Sequence, residues 1–203
     1  MIPAFNEAIA IGQVLEEIQT VCGDSMQEII VVDDGSIDET GRIAAEAGAH
    51  VIRHNRNMGY GASLKTGIRL AKTEYVLTMD ADGQQNPADI PRLLEATSDF
   101  DMVIGVRHGL LHTPLWRAPG KWFVNWFANF LSRARIPDLT SGFRVFRKDV
   151  VAKYLHLCPN GFSFSATTTM VLYNRGYNLN FVRINPRKRR EGSSSTVTAR
   201  TGF

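Results

Sequence analysis

Hydrophobic and polar residues follow two different periods along the first half of the chain. Residues 7–22 repeat apolar positions at helical spacing, and residues 28–32 form a short apolar run typical of a buried strand. The apolar helical positions are Ile11, Val14, Leu15 and Ile18. Further helices are predicted over 38–47 and 60–71 and from Pro87, and further strands over 49–53, 75–79 and 101–106. This alternation predicts an α/β domain with a Rossmann-like, open, mostly parallel sheet flanked by helices.

The first strand of this sheet is predicted to be truncated. Ile2 and Pro3 resemble the end of a strand, yet only Met1 precedes them. A buried parallel strand is normally a longer apolar run. We therefore expect a clipped N-terminus or a misassigned start.

The pattern changes after about residue 108. Residues 116–135 contain all three tryptophans, and a broad aromatic stripe recurs there at helical spacing between basic residues. The stripe consists of Trp122, Phe123, Trp126, Phe127, Phe130 and Leu131. It fits a helix lying at a membrane interface and equally a helix packed in a core. Residues 191–203 are rich in Ser, Thr and Gly and are predicted to be a mobile tail, which leaves one domain over 1–190.

The distribution of charge and the two cysteines limit the possible partners and the compartment of the protein. The formal net charge is only +3, but Arg183 and residues 187–190 concentrate positive charge near the C-terminus. Such a cluster fits phosphate, anionic lipid, nucleic acid or a solvated tail; no nucleic-acid recognition motif accompanies it, so we predict no nucleic-acid partner. Cys22 and Cys158 have neither paired nor zinc-like spacing, which favours a reducing, cytoplasmic compartment. No run of about 18 apolar residues is present to span a bilayer.

A candidate metal site follows the predicted strand 75–79. Asp80 and Asp82 are two residues apart, and Gln84 comes two residues later. Carboxylate and amide oxygens suit a hard cation such as Mg²⁺ or Mn²⁺. An Asp-x-Asp alone is short and is also typical of a solvated acidic turn.

A second acidic cluster, Asp33 and Asp34, follows the strand 28–32. One of these carboxylates could accept from a base N–H or a ribose hydroxyl, whereas Ser36 or Asp38 could simply cap the next helix. Ligands of open α/β sheets bind beyond the carboxyl ends of the strands. Both acidic clusters are therefore expected to face one crevice.

Short motifs spread over nearly the whole chain are highly specific in their combined order and spacing. In chain order they are Pro3-Ala4-Phe5-Asn6-Glu7, Asp33-Asp34-Gly35-Ser36, Asn57-x-Gly59-x-Gly61, Asp80-Ala81-Asp82-Gly83-Gln84, Gly105-Val106-Arg107, Thr140-Ser141-Gly142-Phe143-Arg144, Gly161-Phe162-Ser163-Phe164-Ser165 and Arg189-x-x-Gly192-x-Ser194. Together they resemble family 2 glycosyltransferases of the GT-A fold. Within that family they are most similar to dolichol-phosphate mannose synthase and its relatives, which glycosylate polyprenyl phosphates.

The resemblance implies two halves of one catalytic domain. Residues 1–107 would bind a nucleotide-sugar and the metal, and residues 108–190 would bind the acceptor and contain the interfacial helix. The nucleotide pocket would be lined by Pro3, Phe5, Glu7, Asp33, Asp34 and Asp80. The Mg²⁺ or Mn²⁺ that bridges the donor diphosphate would be held by Asp80, Asp82 and Gln84.

The resemblance also implies an acceptor-phosphate site. Arg107 and Arg189 match positions that grip this phosphate, and Ser194 belongs to the same motif as Arg189. Lys121 and Asn125 stand where the family has an Arg and a Ser. The predicted catalytic residues are Asp80, Asp82, Arg107 and Arg189. The Gln-x-x-Arg-Trp pattern of processive polysaccharide synthases is absent from the sequence, which favours a single transfer.

The chemistry of such a transfer accounts for the lack of an obvious catalytic base. A lipid phosphate with a second pKa of about 6 is mostly ionised at neutral pH and can attack directly. Direct in-line attack predicts inversion at the anomeric carbon. A bilayer-bound acceptor and a cytosolic donor place the enzyme peripherally on the cytoplasmic membrane face, where its cations would contact anionic lipid.

Two alternatives stay open at this point. The acceptor could be a hydroxyl of a soluble glycan, a lipid or a protein, in which case Asp138 is the candidate general base. The chain could instead be a non-catalytic nucleotide-sugar-binding fragment, because a shortened central strand would loosen the crevice.

Overall fold

The computed structural model describes residues 1–107 and 136–187. The predicted aromatic helix within 116–135 and the predicted tail over 191–203 lie outside the described residues. The elements, in chain order, are β1 (Ile2–Ala4), α1 (Ile11–Cys22), β2 (Ile30–Asp33), α2 (Thr40–Glu46), β3 (His50–Arg53), α3 (Tyr60–Leu70), β4 (Tyr75–Thr78), α4 (Ile90–Glu95), β5 (Met102–Arg107), β6 (Arg144–Arg147), α5 (Lys148–Ala152), α6 (Phe164–Asn174) and β7 (Leu179–Ile184). The predicted alternation of strands and helices up to β5 is confirmed.

The strands form one layer that is mostly parallel. The parallel order β1-β2-β3 is one part of it, and β4-β6-β5-β7 is the other, in which only β6 runs antiparallel to its neighbours among the described strands. The amino nitrogen of Met1 donates to the Leu77 carbonyl at 2.7 Å, and the Met79 amide donates to the Met1 carbonyl at 3.1 Å. These bonds place β1 beside β4, so the spatial order is β3-β2-β1-β4-β6-β5-β7.

Helices cover both faces of this layer. Successive strand residues point to opposite faces, and in β2 Val31 packs with α1 and α4, whereas Ile30 and Val32 pack with Leu64 and Ile68 of α3. The apolar face predicted for α1 is buried as expected. Among the described residues, no helix is long and apolar enough to cross a bilayer.

The helix predicted over 7–22 begins later than its periodicity indicates. It starts at Ile11, and the amides of Ala10 and Ile11 both donate to the Glu7 carbonyl at 3.0 Å. The Glu7 amide itself donates to Thr40 Oγ1 at 2.8 Å. Residues 7–10 are therefore part of the loop after β1, because contacts to a distant segment override their helical pattern.

The first strand is short. β1 has 3 residues, and it pairs with β2 only from Val31 onward. At the amino ends of β2 and β4, a cavity of about 600 Å³ opens between the two strands, with Ile30 and Val76 among its lining residues. The acidic clusters lie at the opposite, carboxyl ends of the strands.

Candidate active site

A second cavity, of about 520 Å³, lies beyond the carboxyl ends of β1, β2 and β4. It is lined by residues 3–7 after β1, by Asp34 after β2 and by residues 80–82 after β4. The start of α3 and three residues from the second half of the chain, Thr140, Phe162 and Ser165, complete its wall. The expected crevice, with both acidic clusters facing it, is therefore present, and we call it the site cavity.

The loop over residues 3–7 is tied to the loop after β2. Asn6 has a φ of 55°, a left-handed conformation that Asn tolerates better than most residues. Its amide donates to Ser36 Oγ at 3.0 Å, and its side-chain oxygen accepts from the Ile37 amide at 3.0 Å. Ser36 thus connects two loops instead of capping α2, whose first residue is Thr40.

Asp33 and Asp34 have different positions. Asp33 is fully buried and does not line the site cavity; its Oδ1 accepts from the Ser36 amide at 2.9 Å, and its Oδ2 lies 3.5 Å from Arg53 Nε. A Cβ at Gly41 would lie 2.7 Å from that same Oδ2. Asp33 therefore shapes the turn behind the cavity, whereas Asp34, which is also buried, lines the cavity itself.

Asp34 fixes the entry into α3. Its carboxylate accepts from the amides of Met58 and Gly59 at 2.9 and 2.8 Å. His54 Nδ1 lies 2.7 Å from Asp34 Oδ1, and its Nε2 lies 3.0 Å from Thr66 Oγ1. These bonds set the position of the first turn of α3 on the cavity wall.

The glycines around the start of α3 permit a close approach of another loop. A Cβ at Gly59 would lie 2.5 Å from the Asn160 carbonyl oxygen, and one at Gly61 would lie 2.3 Å from the Pro159 carbonyl oxygen. Gly59 also has a φ of 103°, which favours glycine. The pair therefore brings the loop that carries Phe162 to the cavity.

Asp80 is held by neutral hydrogen-bond donors on both oxygens. Tyr60 donates to Oδ1 at 2.9 Å, and Gln85 Nε2 donates to Oδ2 at 2.5 Å while Gln85 Oε1 accepts from the Asp80 amide at 3.0 Å. Burial and the neighbouring Asp82 charge raise the pKa of Asp80 to about 6, against the hydrogen bond from Tyr60. Sequence reasoning did not identify Tyr60 or Gln85, because neither belongs to a recognisable ligand spacing.

The predicted ligands Asp80 and Asp82 come together on the cavity wall, while Gln84 does not line the site cavity. The Gln84 amide donates to Asp82 Oδ1 at 3.0 Å, and its carbonyl accepts from the Arg187 amide at 2.7 Å. Two carboxylates fit a hard divalent cation. No cluster of at least three His, Cys, Asp or Glu ligands exists within the described residues.

Arg107, at the end of β5, makes a two-pronged contact with Asp138. Arg107 Nε donates to Asp138 Oδ2 at 3.0 Å, and Nη2 approaches Oδ1 at 3.4 Å and Thr140 Oγ1 at 3.1 Å. Burial raises the pKa of Asp138, but the Arg107 charge and the hydrogen bonds from Arg107 and Thr140 outweigh it and lower that pKa. The predicted acceptor ligand and the candidate base are thus bonded to each other.

Lys121, Asn125, Arg189 and Ser194 all lie outside the described residues.

Arg144 is a buried cation. It belongs to one of the family motifs, but the sequence analysis assigned it no role. Its guanidinium donates to the carbonyls of Ser141 at 2.6 Å, Ser165 at 2.8 Å and Leu139 at 3.0 Å, and to Thr169 Oγ1 at 2.8 Å. Burial lowers its pKa to about 10, so it stays charged at neutral pH. Arg144 therefore fastens the 139–142 loop to the start of α6, beside the site cavity.

Gly142 lets that loop approach the first carboxylate. A Cβ at this position would lie 2.5 Å from Tyr60 Oη and 2.6 Å from Asp80 Oδ1. Its carbonyl accepts from Thr78 Oγ1 at 2.7 Å. The 139–142 loop can thus pack against Asp80 only when position 142 has no side chain.

The layer order, with carboxylates beyond β2 and β4 facing one cavity, defines the GT-A class of glycosyltransferase domains. The chain belongs to glycosyl transferase family 2, whose family model, "Glycosyl transferase family 2", matches residues 1–155.

Named relatives include transferases that act on undecaprenyl phosphate. The chain is 34% identical over 164 residues to the uncharacterized protein MJ1222 of Methanocaldococcus jannaschii, covering 76% of this chain and 66% of that protein. It is 30% identical over 172 residues to the undecaprenyl-phosphate mannosyltransferase of Micrococcus luteus, with coverage of 74% and 66%. The matched region thus spans less than two thirds of the length of these relatives.

Solved structures show the same fold. Glucosyl-3-phosphoglycerate synthase from Mycobacterium tuberculosis, in complex with Mn²⁺, UDP-glucose and phosphoglyceric acid, superposes with a TM-score of 0.76 at 19% identity, covering 95% of this chain and 71% of that one. The same enzyme has been solved with Mg²⁺ and UDP, and it superposes with a TM-score of 0.76.

Proposed function

We propose that this glycosyltransferase moves one sugar from a UDP- or GDP-sugar to a polyprenyl phosphate, with inversion, in the presence of Mg²⁺ or Mn²⁺. The observation behind the proposal is the lining of the site cavity: Asp80 and Asp82, which suit a metal diphosphate, line it together with Thr140. Thr140 is in turn bonded to Arg107 and Asp138, which lie behind that part of the wall. The Micrococcus luteus relative, by its name, acts on undecaprenyl phosphate, which supports this acceptor class.

The donor would lie along the loops after β1, β2 and β4. Pro3, Phe5 and Glu7 line the end of the cavity suited to the nucleoside, with Asp34 next to them. Asp33 would act behind this wall, since its carboxylate holds the turn that presents Ser36. Burial of the donor between these loops would exclude water from the anomeric carbon.

Asp80 and Asp82 would hold the divalent cation. When bound, the cation supplies stabilisation of the negative charge that develops on the departing nucleoside diphosphate. Tyr60 and Gln85 orient Asp80 from the two sides of its carboxylate. Asp82 has less protein support, since its Oδ1 accepts one backbone amide from Gln84, and it is the carboxylate on which we expect metal binding to depend most.

A phosphate acceptor is favoured over a hydroxyl acceptor. A hydroxyl needs a base near the reacting oxygen, and Asp138, the candidate, is engaged by Arg107 and Thr140 and does not line the site cavity. A phosphate monoester with a second pKa of about 6 is already ionised at neutral pH. A cation such as Arg107 suits its recognition.

We further propose that the protein acts peripherally at the cytoplasmic face of a membrane, where a polyprenyl chain resides. The exposed Arg183 and Arg187 of the described part belong to the basic segment that would contact anionic lipid. A non-catalytic binding fragment is disfavoured, because β1 is bonded on both sides and the site cavity is formed.

Product formation from a panel of nucleotide-sugars tests the proposal. Each donor is supplied with Mn²⁺ or Mg²⁺ and either a short polyprenyl phosphate or the matching polyprenol. We expect transfer to the phosphate only, loss of transfer in a chelator, and an inverted anomeric configuration in the product. Transfer to the polyprenol, full activity in the chelator, or a retained configuration would contradict it.

A further inference from the structure

We infer that Asp138 is a positioning residue, which holds Arg107 to Thr140 at the wall of the site cavity so that both can meet an anionic acceptor. It takes no proton from the acceptor. The inference rests on the proposed polyprenyl-phosphate acceptor and deepens it, because it assigns the carboxylate of the acceptor side to phosphate recognition.

The geometry of Asp138 is that of a clamp. Its Oδ1 accepts from the Thr140 amide at 3.0 Å and from Thr140 Oγ1 at 3.0 Å, and Arg107 Nη2 lies 3.4 Å away. Its Oδ2 accepts from Arg107 Nε at 3.0 Å. One carboxylate therefore fixes two side chains that come from different parts of the fold, the end of β5 and the loop before β6.

A proton-accepting role does not fit these contacts. Only 5% of the Asp138 side chain is exposed, against 39% for Arg107. Neither Asp138 nor Arg107 lines the site cavity, whereas Thr140, which is bonded to both, does; of the two, only Arg107 has an exposed side chain that an acceptor could reach. A substrate hydroxyl would have to displace Thr140 to reach the carboxylate, and the donors that surround it stabilise its charged form and weaken it as a base.

A clamp has a physical advantage for recognising phosphate. A free arginine loses much rotamer freedom when it binds an anion, and a carboxylate that already orients the guanidinium removes most of that loss from the binding step. Arg107 Nη1 makes no hydrogen bond to any described residue. In the proposed complex, its two N–H groups donate to an acceptor oxygen.

Three roles for Asp138 predict three different kinetic outcomes. As a clamp, its loss raises the KM for the acceptor and leaves kcat nearly unchanged. As a general base, its loss lowers kcat and alters the pH profile. If Asp138 instead competes with the acceptor phosphate for Arg107, its loss lowers the acceptor KM.

The test is steady-state kinetics of Asp138→Asn with polyprenyl phosphate as the varied substrate. We expect the acceptor KM to rise about 10- to 100-fold, the range for one charge-assisted contact, with kcat within about threefold of wild type and the donor KM unchanged. The pH profile of kcat should match that of wild type. A fall in kcat with a changed pH profile, or a lower acceptor KM, overturns the inference.

A second pair of variants keeps the test decisive if Asp138→Asn folds poorly. Thr140→Val removes the hydroxyl that bridges Asp138 and Arg107 and should also raise the acceptor KM. Thr140→Ser restores that hydroxyl and should recover most of the lost affinity. Equal acceptor KM values for the two Thr140 variants would contradict the clamp.

Asp149→Asn is the matched control. Asp149 is an exposed carboxylate of α5 that lies 3.5 Å from Arg147 Nε, away from the site cavity, so its loss should leave all kinetic constants unchanged. The two proposals fail in different ways. Wild-type protein that never transfers to polyprenyl phosphate refutes the proposed function, whereas transfer that proceeds with an unchanged acceptor KM in Asp138→Asn refutes only the role of Asp138.

Discussion

The donor side and the acceptor side of the site cavity are built by different means. On the donor side, the functional carboxylates lie at or within four residues of the carboxyl ends of β2 and β4, so the preceding strand largely sets their positions. On the acceptor side, Arg107 and Asp138 are 31 residues apart in the chain, and Arg144 reaches residues of α6. The donor side therefore depends on local geometry, whereas the acceptor side depends on a network of long-range polar contacts.

The largest effect is expected on the donor side, from Asp82→Ala. Removing a group that stabilises developing charge costs about 10²–10³-fold in rate, and loss of a metal ligand should cost at least this much transfer. Transfer rate and Mn²⁺ affinity would both be measured. Asp99→Ala, which removes an exposed carboxylate next to Ser98, is the control, and an active Asp82→Ala protein with normal Mn²⁺ affinity would show that Asp82 does not hold the metal.

Arg107→Ala should have a smaller effect that is confined to the acceptor. It removes a charge-assisted contact, so we expect the acceptor KM to rise about 10- to 100-fold. The donor KM should be unaffected, because the side chain of Arg107 donates to Asp138 and Thr140 and not to the residues proposed to hold the donor. Kinetics with each substrate varied in turn would check this, and an equal rise in both KM values would mean that the two walls are not independent.

Gly142→Ala tests the contact between the two walls. The new Cβ would meet Tyr60 Oη at 2.5 Å and Asp80 Oδ1 at 2.6 Å, and overpacking of this kind typically costs about 1–3 kcal/mol. We expect a lower free energy of unfolding and weaker Mn²⁺ binding. Gly161→Ala is the matched control because its Cβ would have no neighbour within 4 Å; equal denaturation midpoints for the two variants would contradict this packing.

The smallest effect concerns pH. Since the pKa of Asp80 is raised to about 6, its carboxylate gains a proton as the pH falls through 6, and metal affinity should then fall up to about tenfold per pH unit. The Tyr60 hydrogen bond lowers this pKa, so Tyr60→Phe should shift the loss of Mn²⁺ affinity to higher pH. Mn²⁺ titrations between about pH 5 and 8 would measure the shift, and a shift to lower pH would contradict the contact.

Much of the donor side could be predicted from the sequence. Apolar runs in the sequence predict that one strand ends near Asp33 and another just before Asp80. The carboxyl ends of parallel strands lie at the same edge of a sheet, where ligands bind. The prediction was wrong about the first turn of α1, where the Glu7 amide binds Thr40 Oγ1. It also did not foresee that Asp33 is buried behind the cavity while Asp34 lines it. Successive residues of a strand point to opposite sides, so a strand end that is uncertain by one residue leaves the direction of each side chain undetermined.

The residues of the acceptor side could be predicted mainly from the family resemblance. The sequence named Arg107 and Asp138 in competing hypotheses, one as a phosphate ligand and the other as a base. Only the structure shows that they are bonded to each other at 3.0 Å. No periodicity links two residues that lie 31 positions apart in the chain, so this pairing could not be derived from spacing.

The sequence by itself determined the alternation of strands and helices, the strand-end positions of the carboxylates and the family of the chain, because these depend on local periodicity and short motifs. The tertiary structure alone decided the partners of each functional group: Tyr60 and Gln85 on Asp80, Asp138 on Arg107, and backbone carbonyls on the buried Arg144. The physical reason is that buried polar groups must find hydrogen-bond partners wherever packing brings them, and packing joins residues that are far apart in the chain.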